Sequence, residues 1–359
     1  MTIPHSRPFL PPLETFQDQV KEIWQNVWLT NHGPKVVAFE KQIAEYLNLE
    51  HVSYVCNGTL GLQFALRALP AGGEVITTPY SYVATSSSVF WEGFKPVYAD
   101  IDVDTLSVNP ELVSKCLTPN TRAILATHVY GIPANIEALQ EIADANGISL
   151  IFDAAHCFGV KYKGKSILEY GDYSILSLHA TKLFHTANGG LVVSKSAEAK
   201  QKIDLLRNFG HNGPNNFDGP GINGKNSELN AALGLSILPY ADEIIAKRRS
   251  QWSHYRNLLK SLDDQHFVSI SAETYHNGAY FPVLGFSEKV AQSILDALSK
   301  EGIEGRRYFN PSLNTIDYLK GEECPVSEKI ASSVICLPLY HSLETRQQTR
   351  IANIILSKV

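Results

Sequence analysis

From residue 52 onward, short β-branched or aromatic runs alternate with amphipathic stretches, the pattern of strands joined by helical crossovers. The apolar runs predict strands at residues 52–56, 74–78, 96–99, 123–127, 149–152, 173–177 and 190–193. Between them the spacing predicts helices at 59–69, 83–92, 135–146 and 198–209, each with a polar face and no internal proline. Strands alternating with helices in this way predict a large α/β layer built on a mostly parallel sheet.

A loop rich in Gly, Asn and Pro follows at 208–225, and 227–259 then reads as almost wholly helical, interrupted near Pro239. That long helical stretch is expected to link two domains. The remainder reads as a smaller α+β domain, with strands near 267–270, 279–284 and 334–337 and helices near 287–301 and 343–356. The expected division is 1–235 for the large domain, the N-terminal segment included, and 236–359 for the small one. No internal repeat or low-complexity tract breaks this reading.

Composition narrows the class. Hydrophobic residues make up 44% of the 359, as in a soluble globular protein, whereas charged residues make up only 19%, which favours an oligomer. The balance of 31 basic against 36 acidic residues, without a basic run, argues against a nucleic-acid partner. No stretch approaches the ~18 apolar residues of a membrane span, and the Pro-rich start lacks the pattern of a secretory leader, so a cytoplasmic protein without membrane contact is expected. Five scattered cysteines read as buried free thiols, with no metal site expected.

Candidate chemistry gathers where predicted strands end, the edge at which open parallel sheets bind ligands. Asp153-Ala154-Ala155-His156 follows the strand at 149–152; Asp153 either caps the next segment or holds a heterocyclic nitrogen protonated, as the pyridinium of pyridoxal phosphate requires. Ser177-Leu178-His179-Ala180-Thr181-Lys182 follows the next strand. Lys182 is either solvated or, hemmed by small and apolar residues, able to form a Schiff base, with Ser177 in reach of a phosphate. Cys56-Asn57-Gly58-Thr59 lies between a strand and a helix, where Gly58, the Thr59 hydroxyl and free helix N–H groups suit a phosphate. Tyr82 offers either a core ring or an aromatic face for a planar group.

These motifs, together with Pro79-Tyr80-Ser81-Tyr82-Val83-Ala84-Thr85 and the segment 93–102, resemble the sugar-nucleotide aminotransferases of the DegT/DnrJ/EryC1/StrS family. The resemblance runs in order from Leu29-Thr30-Asn31-His32-Gly33-Pro34 to Leu337-Pro338-Leu339. It implies a type I aminotransferase fold: a mixed seven-stranded large domain, a smaller C-terminal domain, and a homodimer with shared active sites. It implies pyridoxal 5'-phosphate as cofactor, with the pyridoxamine form as intermediate. Lys182 would be the Schiff-base lysine and acid/base, Asp153 the pyridine-nitrogen partner, and Tyr82 the stacking ring. Gly58, Thr59 and Ser177 would hold the phosphate, and His156, where many members carry Gln, would face the phenolic oxygen. In the loop 221–228, Lys225, flanked by Asn223, would reach the neighbouring subunit's phosphate.

The reaction implied moves the amino group of L-glutamate, leaving 2-oxoglutarate, to a nucleotide-linked keto-sugar. The stretch Gly305-Arg306-Arg307-Tyr308-Phe309-Asn310-Pro311-Ser312-Leu313-Asn314 most resembles members that make 4-amino-4,6-dideoxyglucose on thymidine diphosphate for surface polysaccharide, O-antigen included. On that resemblance Arg306, Arg307 and Tyr308 position the nucleotide-sugar. Amination at carbon 3, or of a uridine-diphosphate sugar, is the alternative. The family's dehydratase branch carries His in place of Lys182, a DNA-binding regulator would need a basic module, and a nicotinamide enzyme would need a Gly-x-Gly-x-x-Gly turn that Asn57-Gly58-Thr59-Leu60-Gly61 does not supply.

Overall fold

In the computed structural model, which describes residues 2–359, all seven predicted strands of the first half form and join one sheet. They are β1 (Val52–Val55), β2 (Glu74–Thr77), β3 (Lys95–Tyr98), β4 (Thr121–Thr127), β5 (Ser149–Asp153), β6 (Tyr173–Ser177) and β7 (Gly190–Ser194). The order across the sheet is β1-β7-β6-β5-β4-β2-β3. Only β7 runs against its neighbours β1 and β6; the pairs from β6 through β5, β4 and β2 to β3 are parallel. Helices cover both faces, so the central strands are buried almost throughout, which is why apolar runs found them.

Two helices precede the sheet, α1 (Leu13–Asn26) and α2 (Pro34–Leu47), and the apolar pattern did not announce either. The start of α2 is held from far along the chain: the Glu228 carboxylate accepts the N–H groups of Lys35 (2.7 Å) and Val36 (2.9 Å). Around the sheet lie α3 (Gly58–Arg67), α4 (Val83–Trp91), α5 (Pro110–Lys115), α6 (Ile136–Asn146) and α7 (Ala197–Leu206). Helix α7 stops short of the expected 209 because Phe209 (φ 55°) and Gly210 (φ 75°) take left-handed conformations that end it.

Helix α8 (Glu228–Ile237) and α9 (Ala241–Leu258) are parted by a short 3-10 turn carrying Pro239, as the sequence suggested. Ile244 and Ile245 of α9 belong to the large apolar core, while Tyr255 belongs to a second, smaller one, so this helix bridges the two. The smaller body carries α10 (Glu288–Lys300), α11 (Pro325–Ser333), α12 (Thr345–Leu356) and a two-stranded ladder of Pro282–Val283 with Ile335–Cys336. Residues 267–270 are not a strand; nearby Thr274–Tyr275 instead pairs with the Lys161–Tyr162 edge of a small hairpin on the large body. At the other end of the chain, Ile3 bridges to Ile303 and packs in the smaller core.

Buried polar contacts fasten the two bodies together. The Asp100 carboxylate accepts the N–H groups of Val326 (2.8 Å) and Ser327 (2.9 Å) at the start of α11. Asn277 donates to the carbonyls of His156 and Phe158, both at 2.9 Å. The hydroxyls of Tyr80 and Tyr130, 2.7 Å apart, close on the carbonyl of Tyr308. No helix of the described residues is long and apolar enough to cross a membrane, and all five cysteines are free, three of them buried.

Candidate active site

The register of the parallel strands brings the chemistry to one edge of the sheet. Asp153 ends β5, paired with Thr127 of β4 and Ile175 of β6, while Ser177 ends β6 opposite Gly190. Just beyond β1, Asn57 adopts an extended conformation and its Oδ1 accepts the Leu60 N–H at 2.8 Å, which starts α3. Among the described residues the N–H groups of Gly58 and Thr59 have no partner and are left for an anion. Glycine is required beside this turn: a Cβ on Gly190 would stand 2.7–2.8 Å from the Asn57 and Gly58 backbone, and one on Gly58 would stand 3.2 Å from the Ser177 Cβ.

These groups line a cleft of about 640 Å³, into which the structure gathers Gly58, Thr59, Tyr82, Asp153, His156, Ser177, Lys182 and Tyr308. Asp153 is buried; its Oδ2 accepts the Thr85 hydroxyl at 2.6 Å and its Oδ1 the Ala155 N–H at 3.1 Å. Burial pushes its carboxyl up, and those two hydrogen bonds and the Lys182 charge pull it back toward ionisation. Behind it Thr85 meets Ser81 at 2.7 Å, and Thr127 donates to Ser81 at 3.1 Å. His156 is also buried, which drives its pKa far down, so the ring is neutral; its Nδ1 has no partner. Tyr82, in contrast, is 59% exposed, its ring free to cover a planar ligand.

Lys182 is half-buried and its amine makes neither hydrogen bond nor ion pair among the described residues. Desolvation lowers its pKa to about 8, against the opposing pull of Asp153 and Tyr82. An unfolded lysine titrates near ~10.4, so between about 8 and ~10.4 the unfolded chain binds the extra proton and stability rises with pH. The charged amine therefore weakens the ligand-free fold below that window and ceases to do so above it. Urea denaturation should show the stability advantage of Lys182→Met over the unsubstituted chain shrinking from about pH 7 to about pH 10; an advantage that stays constant would mean the amine sits as if in water.

Other sequence-chosen residues lie elsewhere. Arg307 lies outside the cleft lining, against α10, where it donates to Gln292 at 3.0 Å and lies 4.0 Å from Glu288. Arg306 is exposed; its backbone pairs with Cys336, and its charge helps depress His5. Asn223 and Lys225 are also outside the cleft lining: Asn223 is exposed and Lys225 donates to Asn208 at 2.6 Å beside the Phe209 ring. Sequence reasoning missed Thr85, Ser81 and Thr127 behind Asp153, and missed Tyr280 and Phe309, which flank His156 with ring centroids 4.7 and 5.9 Å away. Hydroxyls from three elements carry no local signal; their meeting is purely tertiary.

The sequence profile of the DegT/DnrJ/EryC1/StrS aminotransferase family matches residues 13–356. The chain belongs to this family. Among curated relatives, the dTDP-4-amino-4,6-dideoxy-D-glucose transaminase of Escherichia coli is 39% identical, with 100% of this chain and 99% of that protein covered. The enzyme of the same name from Shigella dysenteriae is 42% identical over 95% of this chain and 94% of its own. Among solved structures, DesI in the presence of its TDP-sugar product superposes with a TM-score of 0.92 at 30% identity, covering 99% of this chain and 93% of that one. A Helicobacter pylori aminotransferase of pseudaminic acid biosynthesis, PseC, gives 0.91 at 25% identity, covering 100% and 99%.

As a DegT/DnrJ/EryC1/StrS family member, the chain is a sugar aminotransferase. The donor set of its cleft fits the pyridoxal phosphate that such enzymes imply. Free amides at Gly58 and Thr59 suit a phosphate, a buried carboxylate suits a ring N–H, an unpartnered amine suits a carbonyl carbon, and the orphaned His156 nitrogen faces no protein group.

Proposed function

We propose that this chain is a pyridoxal-phosphate-dependent aminotransferase that moves the amino group of L-glutamate to dTDP-4-keto-6-deoxy-D-glucose. The products are 2-oxoglutarate and dTDP-4-amino-4,6-dideoxy-D-glucose, the latter a building unit for surface polysaccharide. The convergence of Lys182, Asp153 and the Gly58-Thr59 turn on one cleft carries the chemistry. Identity of 39–42% over at least 95% of the chain to transaminases named for that product supports the sugar. The test is incubation with L-glutamate and a panel of thymidine- and uridine-diphosphate keto-sugars, with the new amine located by NMR. An amine at carbon 3, or a preference for the uridine carrier, would overturn the choice of substrate.

Bound pyridoxal phosphate supplies an electron sink for the pair left when a proton departs the carbon bearing nitrogen. Each protein group then has a defined task. Gly58, Thr59 and Ser177 bind the phosphate; Tyr82 covers the ring; Asp153 holds a negative charge at the ring nitrogen; and neutral His156 can donate one hydrogen bond to the ring's phenolic oxygen. Lys182, with its lowered pKa, takes and returns the proton between carbon centres. In the 305–314 stretch, Tyr308 on the cleft wall and exposed Arg306 are the polar groups placed to meet the nucleotide-sugar.

A homodimer belongs to this reading. Phe209 beside Lys225, and Phe217 and Ile222 in the same loop, are exposed, and the Lys225 amine is not in its own chain's cleft. Lys225, with Asn223, then completes the phosphate site of a second copy. Lys225→Ala is expected to be weak on its own, and mixing it with Lys182→Ala subunits should restore activity, because one site of each hybrid dimer keeps both residues. No recovery from two inactive parents would assign Lys225 to its own subunit, and a fully active Lys225→Ala homodimer would leave it an ordinary loop lysine.

A further inference from the structure

Arg248 of α9 is a buried cation, only 7% exposed, yet no carboxylate pairs with it among the described residues. Its Nε donates to the Gly278 carbonyl at 3.2 Å and its Nη2 to that of Ala279 at 2.5 Å, which leaves Nη1 outside any hydrogen bond. Desolvation pulls its pKa down to about 10, and the one neighbour that counters this is the phenol of Tyr280. Nearby His5 is equally secluded, and its Nδ1 has no partner. The charges acting on His5 are those of Arg306 and Arg248, both positive. A guanidinium held in low dielectric without an anion is costly, and an arriving anion removes that cost.

Arg248 and His5 share a small cavity of about 20 Å³ with Thr181, Tyr280 and Tyr308. The last three also line the main cleft, and Thr181 immediately precedes Lys182. A space of that size holds about one or two water-sized groups, which is too small for a diphosphate. The guanidinium fork matches a carboxylate.

We propose that Arg248, with His5, forms a niche for a carboxylate of the amino-donor acid, L-glutamate in one direction and 2-oxoglutarate in the other. It rests on the reading that an acidic amino acid is the donor. The niche lies on the smaller body's side of the cleft, so donor and sugar-nucleotide are recognised by different cations: Arg248 for the acid, and Arg306 for the nucleotide.

Glutarate has both carboxylates of L-glutamate and no amino group, so it reports binding without turnover. Titrated calorimetrically into the holoenzyme, it should bind about tenfold or more weakly to Arg248→Gln and Arg248→Lys than to the unsubstituted protein. Thymidine diphosphate should bind all three within about twofold. A crystal of the unsubstituted enzyme soaked in glutarate should place a carboxylate within hydrogen-bond distance of the Arg248 guanidinium, a result that needs no variant to fold. Unchanged glutarate affinity in folded Arg248→Gln, equal weakening of thymidine diphosphate, or glutarate seated away from Arg248 would each overturn the assignment. Turnover of the unsubstituted enzyme separates two failures. If L-glutamate and a keto-sugar nucleotide react while glutarate ignores Arg248, the niche alone is wrong; if no acidic donor reacts, the wider reading falls with it.

Discussion

Lys182→Ala is expected to lower amino transfer by about 10³-fold or more if, as proposed, Lys182 carries the proton, since that group is removed outright. The amine is suited to that task because burial brings its pKa down to about 8, so a useful fraction is neutral near physiological pH. Lys182→Arg is expected to fail as badly: it keeps the cation but remains protonated throughout the working range. Product formation per active site, followed by chromatography of the sugar nucleotide, measures both, and circular dichroism confirms that the variants fold. A Lys182→Arg enzyme with near-normal rates would reduce Lys182 to a source of positive charge. Borohydride treatment of the holoenzyme followed by peptide mass analysis should fix the cofactor's mass on the peptide carrying Lys182, and on no other lysine.

Asp153→Asn should cost about 10²-fold or more in turnover while leaving the melting temperature nearly unchanged, because preorganised charge is lost without loss of shape. The amide can still accept the Ala155 N–H through Oδ1, and its Nδ2 can donate to the Thr85 hydroxyl, which accepts as readily as it donates. What disappears is the negative charge at the sheet edge. An unaffected rate would make Asp153 a backbone cap and no more.

The strands of the large body were legible because burial on both faces favours apolar runs, as Leu150-Ile151-Phe152 of β5 and Leu191-Val192-Val193 of β7 show. Lys182 and Asp153 were legible for the same reason: once the strand ends were placed, the polar residues following them stood on the binding edge. The smaller body was harder to read. Its strands at Pro282–Val283 and Ile335–Cys336 are two residues long, too short for alternation to register, and 267–270 carries strand-forming residues without a partner strand. Arg307 illustrates a different limit. Nothing local distinguishes it from Arg306, and its turn toward Gln292 and Glu288 follows only from where α10 packs. Helix α2 escaped notice for a like reason, because Glu228, which caps it, lies more than 190 residues away in sequence.

The fastenings between the two bodies bear on how the molecule comes apart. Two apolar cores of such different size would ordinarily melt in separate steps. Here, melting the smaller core alone would strip Asp100 of the α11 amides, take Asn277 from the carbonyls of His156 and Phe158, and leave the Tyr80 and Tyr130 hydroxyls without the Tyr308 carbonyl. Each lost hydrogen bond gives up about 0.5–1.5 kcal/mol net, so a half-melted chain is penalised several times over. The two cores are thereby bound into one cooperative unit, and the walls of the cleft persist or vanish together.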